Sequence, residues 1–325
     1  MEDKCESVSC AGRFPKIIEF QTCSACNGKC LICPHRDVVG NECNYMKDDL
    51  IDSILTEIYQ HKNEVERVIP YLNNEPLLDA RALEVLRRLK SLGFFVELST
   101  NASLLNVDVA RAIVEERLVD DLRISFFGGN PSDYARMMPG LPFDKVVENV
   151  QQLMQIGKSE GRLSSVTVVM VMYPMLDVEK NYRQIKRLFP DITIRKFGYL
   201  DRASNVRAIK NPTRIGKEGF DYSGCHLNRP NERMCIQWDG SVVLCSQDWR
   251  KDHCLGVVGD QTIESIWTGG AIREVRRALK GFTKMELLCR KCKLAMIKGD
   301  EGVELNFLGD RYMNEFDESK VAEHK

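Results

Sequence analysis

The sequence predicts an α/β fold built from six βα units, followed by a small C-terminal unit of β-hairpin plus helix. Three observations predict it. Six strand-like segments alternate with helical ones in units of roughly 25–45 residues, and such alternation implies right-handed crossovers and a parallel sheet. The rhythm then breaks at Asp201–Gly224, a stretch rich in Asn, Gly, Arg and Lys without a clear period. Finally, seven of the 13 cysteines fall into two spaced sets, one near each end of the chain. Six units fall short of the eight of a closed barrel, which leaves an open partial barrel or a doubly wound sheet.

Each element has its own signal. "KIIEFQ" (Lys16–Gln21) reads as a short buried strand that enters a cysteine-rich loop. "KDDLIDSILTEIYQH" has helical periodicity and begins with acidic residues, as a helix N-terminus prefers. "VERVIPYL" is a strand ending at "NNEP", and "ARALEVLRRLKSLG" is a helix closed by Gly93. "FFVELSTN", "VDDLRISFFGG", "SVTVVMVMYP" and "DITIRKFGYL" supply the remaining strands. "VDVARAIVEERL", "FDKVVENVQQLMQIGKS" and "VEKNYRQIKRLF" are the helices between them. Beyond the break, "RMCIQWDGSVVLCS" is a hairpin turning at Asp239-Gly240. "TIESIWTGGAIREVRRALKGF" is helical and interrupted at Gly269-Gly270. The expected organisation is an N-terminal extension (1–15), a six-unit domain (16–203), a linker (204–224), a second cysteine domain (225–299) and a charged tail (300–325).

Composition excludes several classes. A formal net charge of -1 argues against general attraction to nucleic acid or to an anionic membrane surface. No run of eighteen apolar residues occurs, so no spanning helix is expected. The segment "MEDKCESVSCAGRF" lacks the apolar core of a signal peptide, and a cytoplasmic location follows as the expectation. Thiols stay reduced there, so the cysteines point to metal or cluster ligation rather than to disulfides.

The loop "TCSACNGKCLICPH" holds Cys23, Cys26, Cys30 and Cys33. Structural zinc sites place their cysteine pairs a dozen or more residues apart so that the chain can wrap the ion. Electron-transfer ferredoxins use a compact run with a distant fourth ligand and other spacings. A catalytic cluster is the third reading. Cys26, Cys30 and Cys33 form C-x3-C-x2-C directly after the first strand of a βα array. This resembles the radical S-adenosylmethionine superfamily. The resemblance implies a partial (β/α)6 barrel in which three thiolates hold a 4Fe–4S cluster. One iron stays open to the amino and carboxylate groups of S-adenosylmethionine, which is cleaved to a 5′-deoxyadenosyl radical. Cys23 is left over.

Further positions extend the resemblance over roughly Ile17–Leu200. Asn73-Asn74-Glu75-Pro76 is similar to the family's Gly-Gly-Glu-Pro segment, which implies a cosubstrate contact at Asn74 and Glu75. Asparagines replace both glycines, and asparagine tolerates left-handed backbone. "LSTNASLL" resembles the ribose-contacting strand end and implies Ser99 and Asn101, with Ala102 in place of the usual glycine. "LRISFFGG" implies Ser125. Alone, Glu75 could be a solvated or capping acid, and each serine a satisfied strand end. In register at successive strand ends, these positions point to chemistry.

The second set, Cys225, Cys245, Cys289 and Cys292, resembles the SPASM/twitch extension and implies an auxiliary 4Fe–4S cluster. A four-thiolate zinc site is the alternative. No cysteine follows Cys292, which matches the shorter twitch form. Cys235 and Cys254 are expected to be core thiols. The resemblance implies a radical enzyme that takes hydrogen from a cyclitol, an aminoglycoside or a sugar-like small molecule. Alcohol oxidation with the auxiliary cluster as electron acceptor is the first reading. Epimerisation and the maturation of a ribosomally made peptide are the alternatives. Only 25 residues precede Cys26, short for a peptide-recognition domain, which favours a small substrate. A flavodoxin- or ferredoxin-like electron donor is the implied partner. His35, Asp201, His226 and Asp248 are the candidate bases.

Overall fold

The computed structural model describes residues 11–161, 165–173, 175–198, 202–203, 205–206, 222–292 and 294–297. The candidate base Asp201, most of the expected linker and the charged tail lie outside the described residues. In chain order the first region comprises β1 (Ile17–Phe20), α1 (His35–Val38), α2 (Asp48–Gln60), β2 (Arg67–Ile69), α3 (Ala82–Ser91), β3 (Glu97–Thr100), α4 (Val107–Glu115) and β4 (Asp121–Ser125). It continues with α5 (Pro131–Met137), α6 (Phe143–Glu160), β5 (Ser165–Met172), α7 (Val178–Leu188) and β6 (Thr193–Gly198). The second region holds β7 (Tyr222–Cys225), α8 (Arg229–Glu232), β8 (Arg233–Ile236), β9 (Ser241–Val243), β10 (Cys254–Val257), α9 (Ile263–Trp267), α10 (Gly270–Ala278) and β11 (Ala295–Ile297).

All six expected strands form, and they run parallel in chain order. β1 pairs with β2, and a parallel bridge between Val68 and Val96 links β2 to the start of the next strand. β3, β4, β5 and β6 then pair in sequence. The helices pack by amphipathic faces: α2 buries Ile51, Ile54, Leu55 and Ile58, spaced at one helical face. Asn106 caps α4 through Asp108 N and Val109 N, and Asp177 caps α7 through Lys180 N. Outward-facing Ile18, Phe20, Val68, Leu98, Ile124 and Val168 make the layer between strands and helices.

The hairpin does not stand apart from the array. β8 pairs in parallel with β1, matching Ile17 with Arg233 and Glu19 with Cys235. β1 is thus flanked on both sides, and β9 and β10 continue the same sheet antiparallel. Glu57 of α2 reinforces the junction: its carboxylate accepts the backbone N–H groups of Ile263 and Glu264 at 2.8 and 2.9 Å, capping α9. Trp267 Nε1 donates to Gly12 O at 3.0 Å. The glycine pair expected to interrupt the C-terminal helix does so, since Gly269 is the N-cap of α10.

Candidate active site

The cysteine loop is held from several directions. Met46 N donates to Thr22 O at 2.7 Å and Ser24 N to Asn44 O at 2.8 Å, so segment 44–46 runs along the entry of the loop. Lys29 N and Leu31 N donate to Pro139 O and Met137 O at the end of α5. His35 Nε2 meets Ser24 O at 2.8 Å and closes the loop behind the last cysteine.

Cys26, Cys30 and Cys33 all line one cavity of about 340 Å³. Burial pushes the Cys26 thiol up to about 12, and it pushes Cys30 well above its ordinary range. The neighbouring thiols add to both effects. Half-buried thiols whose ionisation is opposed in this way need a cationic centre to become thiolates, and an iron cluster would supply one. Cys23 does not join them. It is fully buried, receives the Asn74 carboxamide at 3.5 Å and lies 3.9 Å from Glu75 O. It is a packed thiol under the "NNEP" turn.

The same cavity is lined by Asn74, Glu75, Ser99, Asn101 and Ser125, so the fold brings every expected strand-end residue to the three cysteines. Glu75 is 2% exposed. It accepts from Thr100 Oγ1 at 2.7 Å, Asn101 N at 2.8 Å and Leu77 N at 3.2 Å. Burial nevertheless raises its carboxyl to about 7, against those three hydrogen bonds. Asn74 spends its side chain elsewhere, on Leu72 N and Cys23. Neither Asn73 nor Asn74 has a positive φ, so the turn works without the glycines. Ala102 behaves otherwise: its φ is 59°, left-handed backbone at the position where a glycine was expected. Thr100 Oγ1 accepts its N–H at 3.0 Å and Asn149 Nδ2 donates to its carbonyl at 2.8 Å.

A charged cluster lines the same cavity, and the sequence reading missed it. Glu97 accepts from Tyr71 OH at 3.1 Å, pairs with Arg123 at 3.0 Å and also binds Arg67. Arg123 reaches Asp121 at 2.9 Å. Glu19 pairs with Arg233 and accepts from the Cys235 thiol at 3.0 Å. Glu19, Tyr71, Glu97, Arg123 and Arg233 all line the cavity. A signal was available: Glu97 and Ser99 alternate on β3, as do Asp121, Arg123 and Ser125 on β4. The register matches Glu97 with Asp121 and Ser99 with Arg123. Strands buried on both faces are normally apolar throughout, so this alternation marks an inner polar face.

The second cysteine set gathers around the hairpin. Cys225 ends β7, Cys245 follows β9, and Cys289 lies in a 3-10 turn that places Cys292 N on Cys289 O at 3.0 Å. Burial pushes Cys245 to about 11 and Cys292 to about 12, and Cys225 adds to both. Gln247 N donates to Cys245 Sγ and Leu294 N to Cys292 Sγ, each at 3.4 Å. Among the described residues no three His, Cys, Asp or Glu side chains are set to hold a single ion. Thiolates of a four-iron cluster bind separate irons and need not meet at one point. Of the two spare thiols, Cys235 is buried as expected, but Cys254 is exposed. The correction has a local cause. Cys254 opens β10, the edge strand of its sheet, and its thiol turns to Gly256 O at 3.4 Å.

Residues from the second region reach the cavity too: Leu227, Arg229, Ser246 and Trp249 line it. Of the described base candidates, His35 lines it, whereas Asp248 accepts Asp252 N and His253 N and lines a separate surface cleft. His226 is not in the cavity lining. Among the described residues no helix is long and apolar enough to cross a membrane.

Comparison with known proteins agrees with this geometry. A model of the radical SAM superfamily matches residues 20–184, and a model of the SPASM iron–sulfur cluster-binding domain matches residues 225–293. No curated protein matches the sequence. Among solved structures, BtrN in complex with AdoMet and 2-DOIA superposes with a TM-score of 0.57 at 16% identity, covering 89% of this chain and 96% of that one. Streptococcus suis SuiB bound to precursor peptide SuiA gives 0.67 at 13% identity, covering 87% and 71%. Native anSMEcpe with bound AdoMet gives 0.60 at 16% identity, covering 90% and 94%. At these identities the likeness is one of fold. With its two cysteine sets and the matched domains, the chain belongs to the radical SAM superfamily, with a C-terminal SPASM iron–sulfur domain, and is an enzyme of S-adenosylmethionine and two 4Fe–4S clusters.

Proposed function

We propose that this enzyme oxidises an alcohol on a polar small molecule, of cyclitol, aminoglycoside or sugar-like type. One observation carries the reading: a single cavity of about 340 Å³ is walled by the three loop cysteines and by residues flanking the second cysteine set. When bound, the first cluster with S-adenosylmethionine supplies a hydrogen-abstracting radical, and the auxiliary cluster supplies a one-electron acceptor. In this reading Cys26, Cys30 and Cys33 anchor the first cluster, and Cys225, Cys245, Cys289 and Cys292 the second. Glu75 takes the cosubstrate amine, Ser99 and Asn101 its ribose, and Ser125 completes the strand-end row. Asn74 contributes the shape of the turn rather than its side chain. The inner layer of Glu19, Tyr71, Glu97, Arg123 and Arg233 offers paired donors and acceptors suited to a polyhydroxylated ligand. The size of the cavity, shared with S-adenosylmethionine, favours a small substrate over a peptide. A cytoplasmic location, where a flavodoxin- or ferredoxin-like donor is available, fits the reduced thiols.

The test is direct. Reduced, anaerobic enzyme with S-adenosylmethionine and a panel of cyclitols, aminoglycosides and sugars should yield 5′-deoxyadenosine and a carbonyl product lacking two hydrogens. Removing Cys289 and Cys292 together should leave slow S-adenosylmethionine cleavage and abolish oxidation. A product of unchanged mass carrying solvent deuterium would instead make the enzyme an epimerase. Turnover confined to peptides would make it a maturase, as the peptide-bound SuiB neighbour suggests.

A further inference from the structure

We propose that Arg229 tunes the auxiliary cluster toward accepting an electron, its guanidinium standing between the second cysteine set and the cavity. The inference rests on the reading that Cys225, Cys245, Cys289 and Cys292 hold that cluster.

Position is the first argument. Arg229 opens α8, four residues after Cys225, and the turn before it is tied back by Asn228 N donating to Cys225 O at 2.8 Å. Its Nη1 donates to Ser246 Oγ, on the residue after Cys245. Both Arg229 and Ser246 line the cavity. The guanidinium therefore bridges the chain segments that carry two of the four thiols.

Charge is the second argument. The other arginines of the cavity wall for which pairs are known have carboxylates: Arg123 has Glu97 and Asp121, and Arg233 has Glu19. Among the described residues none pairs with Arg229, and its Nε is buried without a hydrogen-bond partner. A half-buried cation with an unmatched donor is costly unless an anion lies nearby. With the auxiliary cluster bound, the thiolates of the second set would be that anion. Arg229 stands within electrostatic reach of both Cys245 and Cys292. Asp248 acts in the opposite sense on Cys245, but its carboxylate is occupied by the N–H groups of Asp252 and His253 at 2.9 and 3.0 Å.

The consequence is electrostatic. Adding an electron makes an iron–sulfur cluster more negative, so a fixed cation nearby favours the reduced state and raises the potential. The oxidation then balances. The C–H hydrogen goes to the deoxyadenosyl radical and the hydroxyl proton to a base. The remaining electron goes to the auxiliary cluster, and onward to a flavodoxin- or ferredoxin-like carrier. Arg229 acts through the cluster, not on the substrate.

The experiment is an EPR-monitored redox titration of the reconstituted holoenzyme, comparing wild type with Arg229→Gln and Arg229→Lys. The auxiliary signal is assigned from the variant with Cys26, Cys30 and Cys33 replaced by Ala. Expected are a lowered auxiliary potential in Arg229→Gln, a potential close to wild type in Arg229→Lys, and an unmoved first cluster in both. An unshifted auxiliary potential in Arg229→Gln overturns the proposal, and a raised KM beside it would assign the guanidinium to the substrate. If Arg229→Gln fails to load its second cluster, Arg229→Lys carries the test: a wild-type potential supports the role of charge, and a lowered one overturns it. A wild-type iron content of only one cluster per chain would instead remove the auxiliary cluster, and with it the underlying reading.

Discussion

Glu75 is a carboxyl that the fold holds near neutrality, and this can be measured. Its ordinary value is 4.5 and burial lifts it to about 7. That gap corresponds to on the order of 3 kcal/mol of disfavoured ionisation. Its folded value lies above its unfolded one, so its contribution to stability is complete below pH 4.5 and is lost as pH rises through 7. Glu75→Gln removes the titration and keeps the shape. The amide turns one acceptor into a donor facing Asn101 N or Leu77 N, at a pH-independent cost of roughly 1–3 kcal/mol. The stability of the variant at one pH is therefore the wrong readout. Its pH dependence is the right one: relative to the variant, wild type should lose roughly 2–3 kcal/mol between pH 5 and pH 8. Infrared difference spectroscopy reads the proton directly. Wild type should show the band of a buried protonated carboxyl at pH 6, lose it by pH 8, and lose it at pH 6 when S-adenosylmethionine brings its amine to Glu75. A fully ionised wild type at pH 6, or the same band surviving in Glu75→Gln, refutes the reasoning.

Three further outcomes are expected. Replacing Cys26, Cys30 or Cys33 by Ala should remove the first cluster and all 5′-deoxyadenosine, while Cys23→Ala, packed under Asn74 and Glu75, should keep both, as iron content and product assays will show. Ala102→Gly should stabilise the protein by roughly 0.5–1 kcal/mol, because the left-handed φ of 59° suits glycine; a lower melting temperature would mean that the turn is unstrained. Glu57→Ala should cost about 1–2 kcal/mol by leaving Ile263 N and Glu264 N without their acceptor, while Thr262 keeps its cap on Ser265 N, and hydrogen exchange should rise first at Ile263–Trp267, with Glu57→Gln in between.

The parts legible in the sequence are those governed by neighbours along the chain. Strand–helix alternation sets the parallel array because a buried βα unit has one period and one handedness. C-x3-C-x2-C directly after β1 and the polar strand ends Ser99, Asn101 and Ser125 announce a site because each signal sits within a few residues. The Asp239-Gly240 turn announces the hairpin for the same reason. What the sequence left undetermined depends on contacts hundreds of residues apart. β8 pairs with β1, so Glu19 meets Arg233 and Cys235 across more than two hundred residues. That pairing swings Arg229, Ser246 and Trp249 into the wall of a cavity whose cysteines lie at the other end of the chain. Cys235 and Cys254 looked alike as strand thiols, yet only the position of each strand in the sheet, inner or edge, decided that one is buried and the other exposed. Register and edge position are properties of the assembled sheet. No local pattern encodes which strand a hairpin will join, because the energy that selects it comes from the apolar surface and the paired charges buried only once the two strands meet.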